Sequence, residues 1–374
     1  MKTTITKILP PVSKLYQITF DDSNNWATVD LQKINNEKVF NNSIINTIIA
    51  CYQTFPNYNL KGITFEYSPT QTEQFEMLSR QFNLFQLEFE PKLNSNNSFI
   101  IEKKWVDKIN NGLNTDIKKW ESFLKEYEGI LFYKTVTENK IQIRYFGYQI
   151  GKFDPTKTPD INNIELKNNN DNVTTFNAHY NKIKSKRSMP GDNEKSEHYL
   201  ESILLYKIQK GNFEIDNNLI NKLFSNNFNF QFPTLWKLGN AKQSGNSPKY
   251  IDIFAKHENR PVIMELKVHK NTGNSRGEYV FQAYGQLLNY FIYLHNIFTN
   301  PTIIWSNHLQ NVKNLDWDKP LLYIVVDDFG KDKIADNFRE YIKTLKKYFT
   351  STFEIKFVEI ESDFKNELKI KNVF

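Results

Sequence analysis

Residues 250–268 read Tyr250-Ile-Asp252-Ile-Phe-Ala-Lys256, then His257-Glu-Asn-Arg260, then Pro261-Val-Ile-Met-Glu265-Leu-Lys267-Val268. Two short runs rich in Ile, Val and Phe around a four-residue polar break predict a β-hairpin. Side chains alternate between the faces of a strand. Val262, Met264, Leu266 and Val268 therefore form an apolar face, while Glu265 and Lys267 share the opposite face with Ile263. With 257–260 as the loop, Lys256 pairs with Pro261, and counting back sets Asp252 across from Glu265. Opposed side chains on neighbouring strands have Cβ atoms about 4.5–5.5 Å apart, a spacing at which like charges repel. Two carboxylates held that close beside a lysine make chemical sense when a divalent cation lies between them.

The flanking segments carry more polar groups toward this hairpin. Upstream, 194–209 has helical spacing, with Asp192 as its cap and Leu200, Ile203, Leu204 and Ile208 as its apolar stripe. Glu197 and Glu201 lie one turn apart on that helix. Downstream, 278–298 predicts a long helix with Tyr284, Leu287, Leu288, Phe291 and Leu294 on its core face. Gln282, Gln286 and Tyr290 recur every four residues on another face.

Asp252, Glu265-Leu266-Lys267 and Gln286-Leu-Leu-Asn-Tyr290 resemble the D…E-x-K…Q-x-x-x-Y signature of the PD-(D/E)XK nuclease superfamily. The resemblance covers the chain from near residue 190 onward. It departs from the signature at the proline: Lys249-Tyr250-Ile251 precedes Asp252, and Pro248 lies further back. The resemblance implies an α/β fold with a C-terminal restriction-endonuclease-like mixed sheet flanked by helices. It implies Mg²⁺-dependent hydrolysis of phosphodiester bonds in nucleic acid, DNA favoured, with Mn²⁺ able to substitute and a 5′-phosphate and 3′-hydroxyl as products. Asp252 and Glu265 would ligate the metal with the Leu266 carbonyl, and Lys267 would stabilise the attacking water or the transition state. Glu197 or Glu201 would hold a second metal or a metal-bound water. Gln286, or Gln282 in its place, would orient Lys267 or touch the phosphate backbone, and Tyr290 completes the motif. A restriction or antiviral-defence role follows from the fusion of such a nuclease to an unfamiliar N-terminal region. Homodimers are common among such enzymes, so a homodimer or larger homo-oligomer is an expected state.

A second class of function fits the same residues: a nuclease-fold module that binds nucleic acid or a partner without turnover. The intact Asp, Glu and Lys argue against it. A sugar- or nucleotide-processing enzyme built on Asp327 and Asp328 has no supporting motif.

The hairpin occupies one part of a 374-residue chain, long enough for two domains. With 39% hydrophobic and 15% aromatic residues it can bury a substantial core. No apolar run reaches the ~20 residues a membrane helix needs, and the N-terminus lacks the apolar stretch of a secretory signal. Cys51 is the lone cysteine, so an intramolecular disulfide and a cysteine-rich zinc site are excluded, and a cytoplasmic location is expected. The formal charge of +6 is mild, so phosphate-backbone binding would have to come from local patches.

Three regions are expected: an N-terminal α/β recognition or regulatory domain over 1–152, a linker over 153–190, and the nuclease-like domain over 191–374. In the first, 14–20, 26–31, 62–67 and 84–89 predict strands, and 43–55, 70–82 and 105–127 predict helices. A hairpin is expected with arms 130–137 and 140–150. The linker rests on Asp154-Pro155, Thr158-Pro159 and the Asn-rich run at 168–172. Beyond the long helix, 302–305, 321–326 and 353–360 predict strands and 332–349 a helix.

Overall fold

A computed structural model describes residues 2–5, 17–32, 43–54, 59–68, 81–90, 103–167, 174–187, 197–234, 249–268, 276–327, 340, 342–348, 355–362 and 368–374. These residues form a mixed α/β structure with sheets of five, five and six strands and two short two-stranded pairs.

The first sheet runs in chain order through β1 (Lys2–Ile5), β2 (Gln17–Asp21), β3 (Trp26–Asp30), β4 (Gly62–Glu66) and β5 (Glu88–Glu90). β1 to β3 are antiparallel, and β3, β4 and β5 are parallel. Parallel neighbours need a crossover, and α1 (Ser43–Thr54) supplies it between β3 and β4, burying Ile44, Ile45, Ile48 and Ile49. The helix expected over 70–82 lies outside the described residues except at its end, where Phe82–Leu84 is a 3-10 turn.

One helix was expected over 105–127, and two occur: α2 (Lys103–Leu113) and α3 (Lys118–Phe123). Asp116 breaks the run, its Oδ1 accepting from the Lys118 N–H at 3.0 Å. Such a short acid offers the backbone an alternative to continued helix. The second sheet then begins as an antiparallel meander of β6 (Ile130–Lys134), β7 (Ile141–Tyr145), β8 (Tyr148–Phe153) and β9 (Ile164–Leu166). The expected second arm over 140–150 turns back at Phe146 and Gly147, whose φ values are 39° and 84°. Residues 153–190, expected as a linker, instead hold β9 and α4 (Phe176–Arg187), with Phe176, Tyr180 and Ile183 buried.

After α4 comes α5 (Glu197–Gln209), then the short strands β10 (Glu214–Ile215), β11 (Asn218–Leu219), β12 (Asn221–Lys222), β13 (Asn229–Phe230), β14 (Pro233–Thr234) and β15 (Lys249–Tyr250). β13 adds to the second sheet, pairing in parallel with β6, so that sheet is built from both halves of the chain.

The third sheet has the order β12-β16-β17-β18-β19-β20, with β16 (Ile253–His257), β17 (Arg260–Val268), β18 (Leu321–Asp327), β19 (Ile355–Ser362) and β20 (Leu368–Val373). β16 and β17 form the expected hairpin with Lys256 opposite Pro261. β17, β18 and β19 are parallel, and β20 returns antiparallel. Between β17 and β18 the chain forms α6 (Arg276–Thr299) and α7 (Asn307–Lys313). The strand expected at 302–305 is irregular, and Ile304 there is solvent-exposed. Residues 342–346 are helical, within the helix expected over 332–349. Among the described residues no helix is long and apolar enough to cross a membrane.

The third sheet is covered on both faces. Leu200, Leu204 and Ile208 of α5 cluster with Met264, Leu266 and Ala255 on one side. On the other, Leu287, Leu288 and Leu294 of α6 join Ile263, Ile324 and Phe357 in a core that continues into the first and second sheets. α5 also turns Tyr199 and Ile203 toward that larger core, so it is clamped between two sheets.

Candidate active site

β17 is central, and from Pro261 to Val268 every residue is buried. Such a strand is ordinarily continuously apolar. Here Glu265 and Lys267 interrupt it at 2% and 7% exposure. Burying two charges costs several kcal/mol each before their attraction is counted. The chain offsets that cost with geometry: Lys267 Nζ donates to Glu265 Oε1 at 2.6 Å and lies 3.6 Å from Glu197 Oε1 at the start of α5.

Asp252 lies one residue before β16 in a bend, not in the strand where alternation placed it. The last register pair is Ile253 with Met264, so Asp252 falls next to Glu265 as the counting predicts. The bend turns its carboxylate onto the neighbouring backbone, and Oδ2 accepts from the Leu266 N–H at 2.8 Å. The N–H and C=O of one residue leave a strand on the same side, so the Leu266 carbonyl points toward the same end of β16.

Charges in this cluster control one another. Burial, then the negative charge of Glu265, holds the Asp252 carboxyl well above the usual carboxylate range. Burial raises Glu265 too, opposed by the Lys267 ammonium. For Lys267 burial works toward neutrality, but Glu265, Glu197 and Asp252 outweigh it and hold the ammonium charged. Burial and mutual repulsion thus push both carboxyls of the pair upward, Asp252 the further.

The two α5 acids play different parts. Glu197 has a side chain 44% exposed and is the acid that reaches Lys267. Glu201 is the buried one, 3.5 Å from His198 Nδ1, and its charge acts on Asp252. That hydrogen bond raises the His198 imidazole above its ordinary range. Neither acid simply faces solvent. The helix is held from behind by Tyr133, whose hydroxyl lies 2.9 Å from Ser202 Oγ and whose ring carries the Arg144 guanidinium at 4.3 Å. His198, Tyr133 and Arg144 escaped the sequence reading. The spacing of three between His198 and Glu201 was a usable signal for the first; nothing local links β6 or β7 to α5.

On α6, Tyr290 is buried with its phenol pushed up by burial and by the charges of Glu265, Asp252 and Glu197, which puts it within electrostatic reach of the cluster. Gln286 Oε1 is buried with no hydrogen-bond partner. The Gln282 side chain lies outside the described residues.

Among the described residues no three His, Cys, Asp or Glu side chains converge as a ready ligand set. The Lys267 ammonium lies between Glu265 and Glu197, 2.6 Å and 3.6 Å from their carboxylates. The residues nevertheless fit a hard divalent cation: Glu265 Oε2 is buried with no hydrogen-bond partner, Asp252 is adjacent, and the Leu266 carbonyl faces the same side. No family model matches the chain, and neither a curated protein nor a solved structure matches it, so the reading of this site stands on its own geometry.

Proposed function

We propose that the chain is a metal-dependent nuclease of the PD-(D/E)XK type, with a restriction-endonuclease-like third sheet, hydrolysing phosphodiester bonds of nucleic acid. One observation carries the reading: a buried Glu-x-Lys on a central strand meets an aspartate from its hairpin partner and a glutamate from the flanking helix. Asp252, Glu265 and the Leu266 carbonyl would hold Mg²⁺ or Mn²⁺, which when bound polarises the phosphate and acidifies a water. Lys267, kept cationic by three carboxylates, offers a fixed positive charge where negative charge develops on the phosphorus oxygens. Glu197 orients that ammonium and can accept a hydrogen bond from the attacking water. Tyr290 and Gln286 close the α6 side. DNA is the favoured substrate, and defence against foreign DNA the favoured role.

The test is a cleavage time course on plasmid, linear duplex and single-stranded DNA, and on RNA, with Mg²⁺, Mn²⁺ or EDTA. Metal-dependent cleavage that disappears in Asp252→Asn and Lys267→Ala supports the proposal. Nucleic-acid binding with no cleavage on any substrate would make the chain a binding module, a reading favoured by the ion pair that already ties Lys267 to Glu265.

A further inference from the structure

Phe254 and Lys256 share one face of β16, on the side of Asp252 just before it, and there Phe254 packs at a tilt against Phe298 and Trp317. Four residues of strand span about 13 Å, so Lys256 lies that far from the acidic cluster, beyond an aromatic wall. There the face opens into a cleft of about 610 Å³ between α3, β12 and α7. That size suits a small-molecule ligand. Its lining is polar: Lys222, Lys256, Glu121, Asn227, Asn311 and His308 all contribute.

Lys222 and Lys256 have no hydrogen-bond or ion-pair partner for their ammonium groups among the described residues, whereas the acid in the cleft is occupied. Glu121 Oε2 accepts from the Asn227 amide. The cleft thus presents two lysines against one carboxylate, Glu121, whose charge also acts on Lys222, with amides at its edge. Lysine ammoniums act as point charges for phosphate. We propose that this cleft binds the phosphate of a nucleotide-sized ligand, with Lys222 and Lys256 as the charge-bearing contacts and the asparagines as hydrogen-bonding partners for the rest of the molecule. The phosphate belongs either to a free mononucleotide or to one unit of a nucleic-acid strand. Burial lowers Lys222 to about 8, so an anion beside it restores the charged form, and affinity should fall as pH rises above that value. The inference does not depend on the nuclease reading, because neither lysine belongs to the acidic cluster.

Calorimetric titration of the full chain with AMP, with adenosine as the phosphate-free control, is the direct experiment. Saturable binding of AMP and none of adenosine is expected, weakening about tenfold or more in Lys222→Met/Lys256→Met. Displacement of AMP by a short single-stranded oligonucleotide identifies the strand as the source of the phosphate; failure to displace identifies the free nucleotide. Should the double variant not fold, acetylation of the intact protein mapped by mass spectrometry replaces it, with AMP expected to protect Lys222 and Lys256. Equal binding of adenosine, undiminished AMP binding in the folded double variant, absence of protection, or no binding of AMP or oligonucleotide at millimolar concentration would each overturn the proposal.

Discussion

Removing the Lys267 ammonium leaves Glu265 as a carboxylate at 2% exposure with no cation beside it. A lysine on the polar face of an exposed hairpin would cost about a kcal/mol to lose, but breaking a buried pair costs about 3–5 kcal/mol. Lys267→Ala should therefore lower the melting temperature clearly at pH 8 and less at acidic pH, where Glu265 takes up a proton. Its cleavage rate should drop by about 10²–10³; a folded variant cutting at the parental rate would rule out the Glu-x-Lys reading. Asp252 gives a second prediction. Its folded pKa lies above the ordinary value of about 3.9, so it stabilises the fold below that pH and the contribution is lost as pH rises through the folded value. In the proposed site Mg²⁺ competes with protons for this carboxylate. Metal affinity should rise with pH, and calorimetry in two buffers of different ionisation heat should show proton release; release independent of the Asp252→Asn change would exclude this residue. Alternation along the hairpin made the approach of Asp252, Glu265 and Lys267 legible, because register follows from loop length alone. It did not reveal that Lys267 would pair with the acids it was expected to assist, since that depends on how deeply β17 is covered.

At the scale of elements, α5 depends on a turn about fifty residues earlier in the chain. Gly147, between β7 and β8, has φ +84°, and a Cβ there would lie 2.8 Å from the His198 carbonyl oxygen. Only glycine takes this backbone conformation without strain, and only glycine leaves room for the start of α5. Gly147→Ala should cost about 1–3 kcal/mol in strain and push Glu197 and His198 from their places. Cleavage and Mg²⁺ affinity should both fall, although residue 147 touches no ligand; a variant melting as the parent and binding Mg²⁺ equally would show that the turn merely rests on the helix. The helices and strands of the third sheet were legible because their apolar spacing is regular. The 153–190 stretch was not, because β9 is three residues long and lies between Asp-Pro, Thr-Pro and Asn-rich segments that carry turn chemistry. Its order comes from pairing with β8. α4 has few apolar residues, yet Phe176 and Tyr180 suffice to fix it, both set edge-on to Tyr127.

For the whole molecule, the expected division into a regulatory front and a nuclease starting at 191 meets a core that ignores that boundary. β13 completes the second sheet from the far side of α5. Phe146 packs against Tyr199 and Tyr206 of α5. Buried Gln81 donates to Asn289 on α6 at 3.2 Å, one residue from Tyr290, and the Leu60 N–H donates to the Tyr348 hydroxyl at 3.1 Å. Composition cannot reveal such sharing, because each half is apolar enough to close a core alone. A fragment of 191–374 would uncover Tyr199, Ile203 and Phe230, all buried in the intact chain. Large apolar side chains contribute about 1.5–3 kcal/mol each when fully buried. Three of them amount to several kcal/mol, comparable with the roughly 5–15 kcal/mol that holds a whole domain together. The isolated fragment should therefore aggregate or expose dye-binding apolar surface, and limited proteolysis of the intact chain should release no stable piece beginning near 191. Asn289→Ala, which removes this buried hydrogen bond to α6, should destabilise by about 1 kcal/mol and disturb α6 next to Tyr290, so its loss of cleavage should exceed what its melting temperature explains. A soluble 191–374 fragment that melts cooperatively and cuts DNA would show instead that the two halves merely lean on each other, and the front of the chain would then be a detachable regulator.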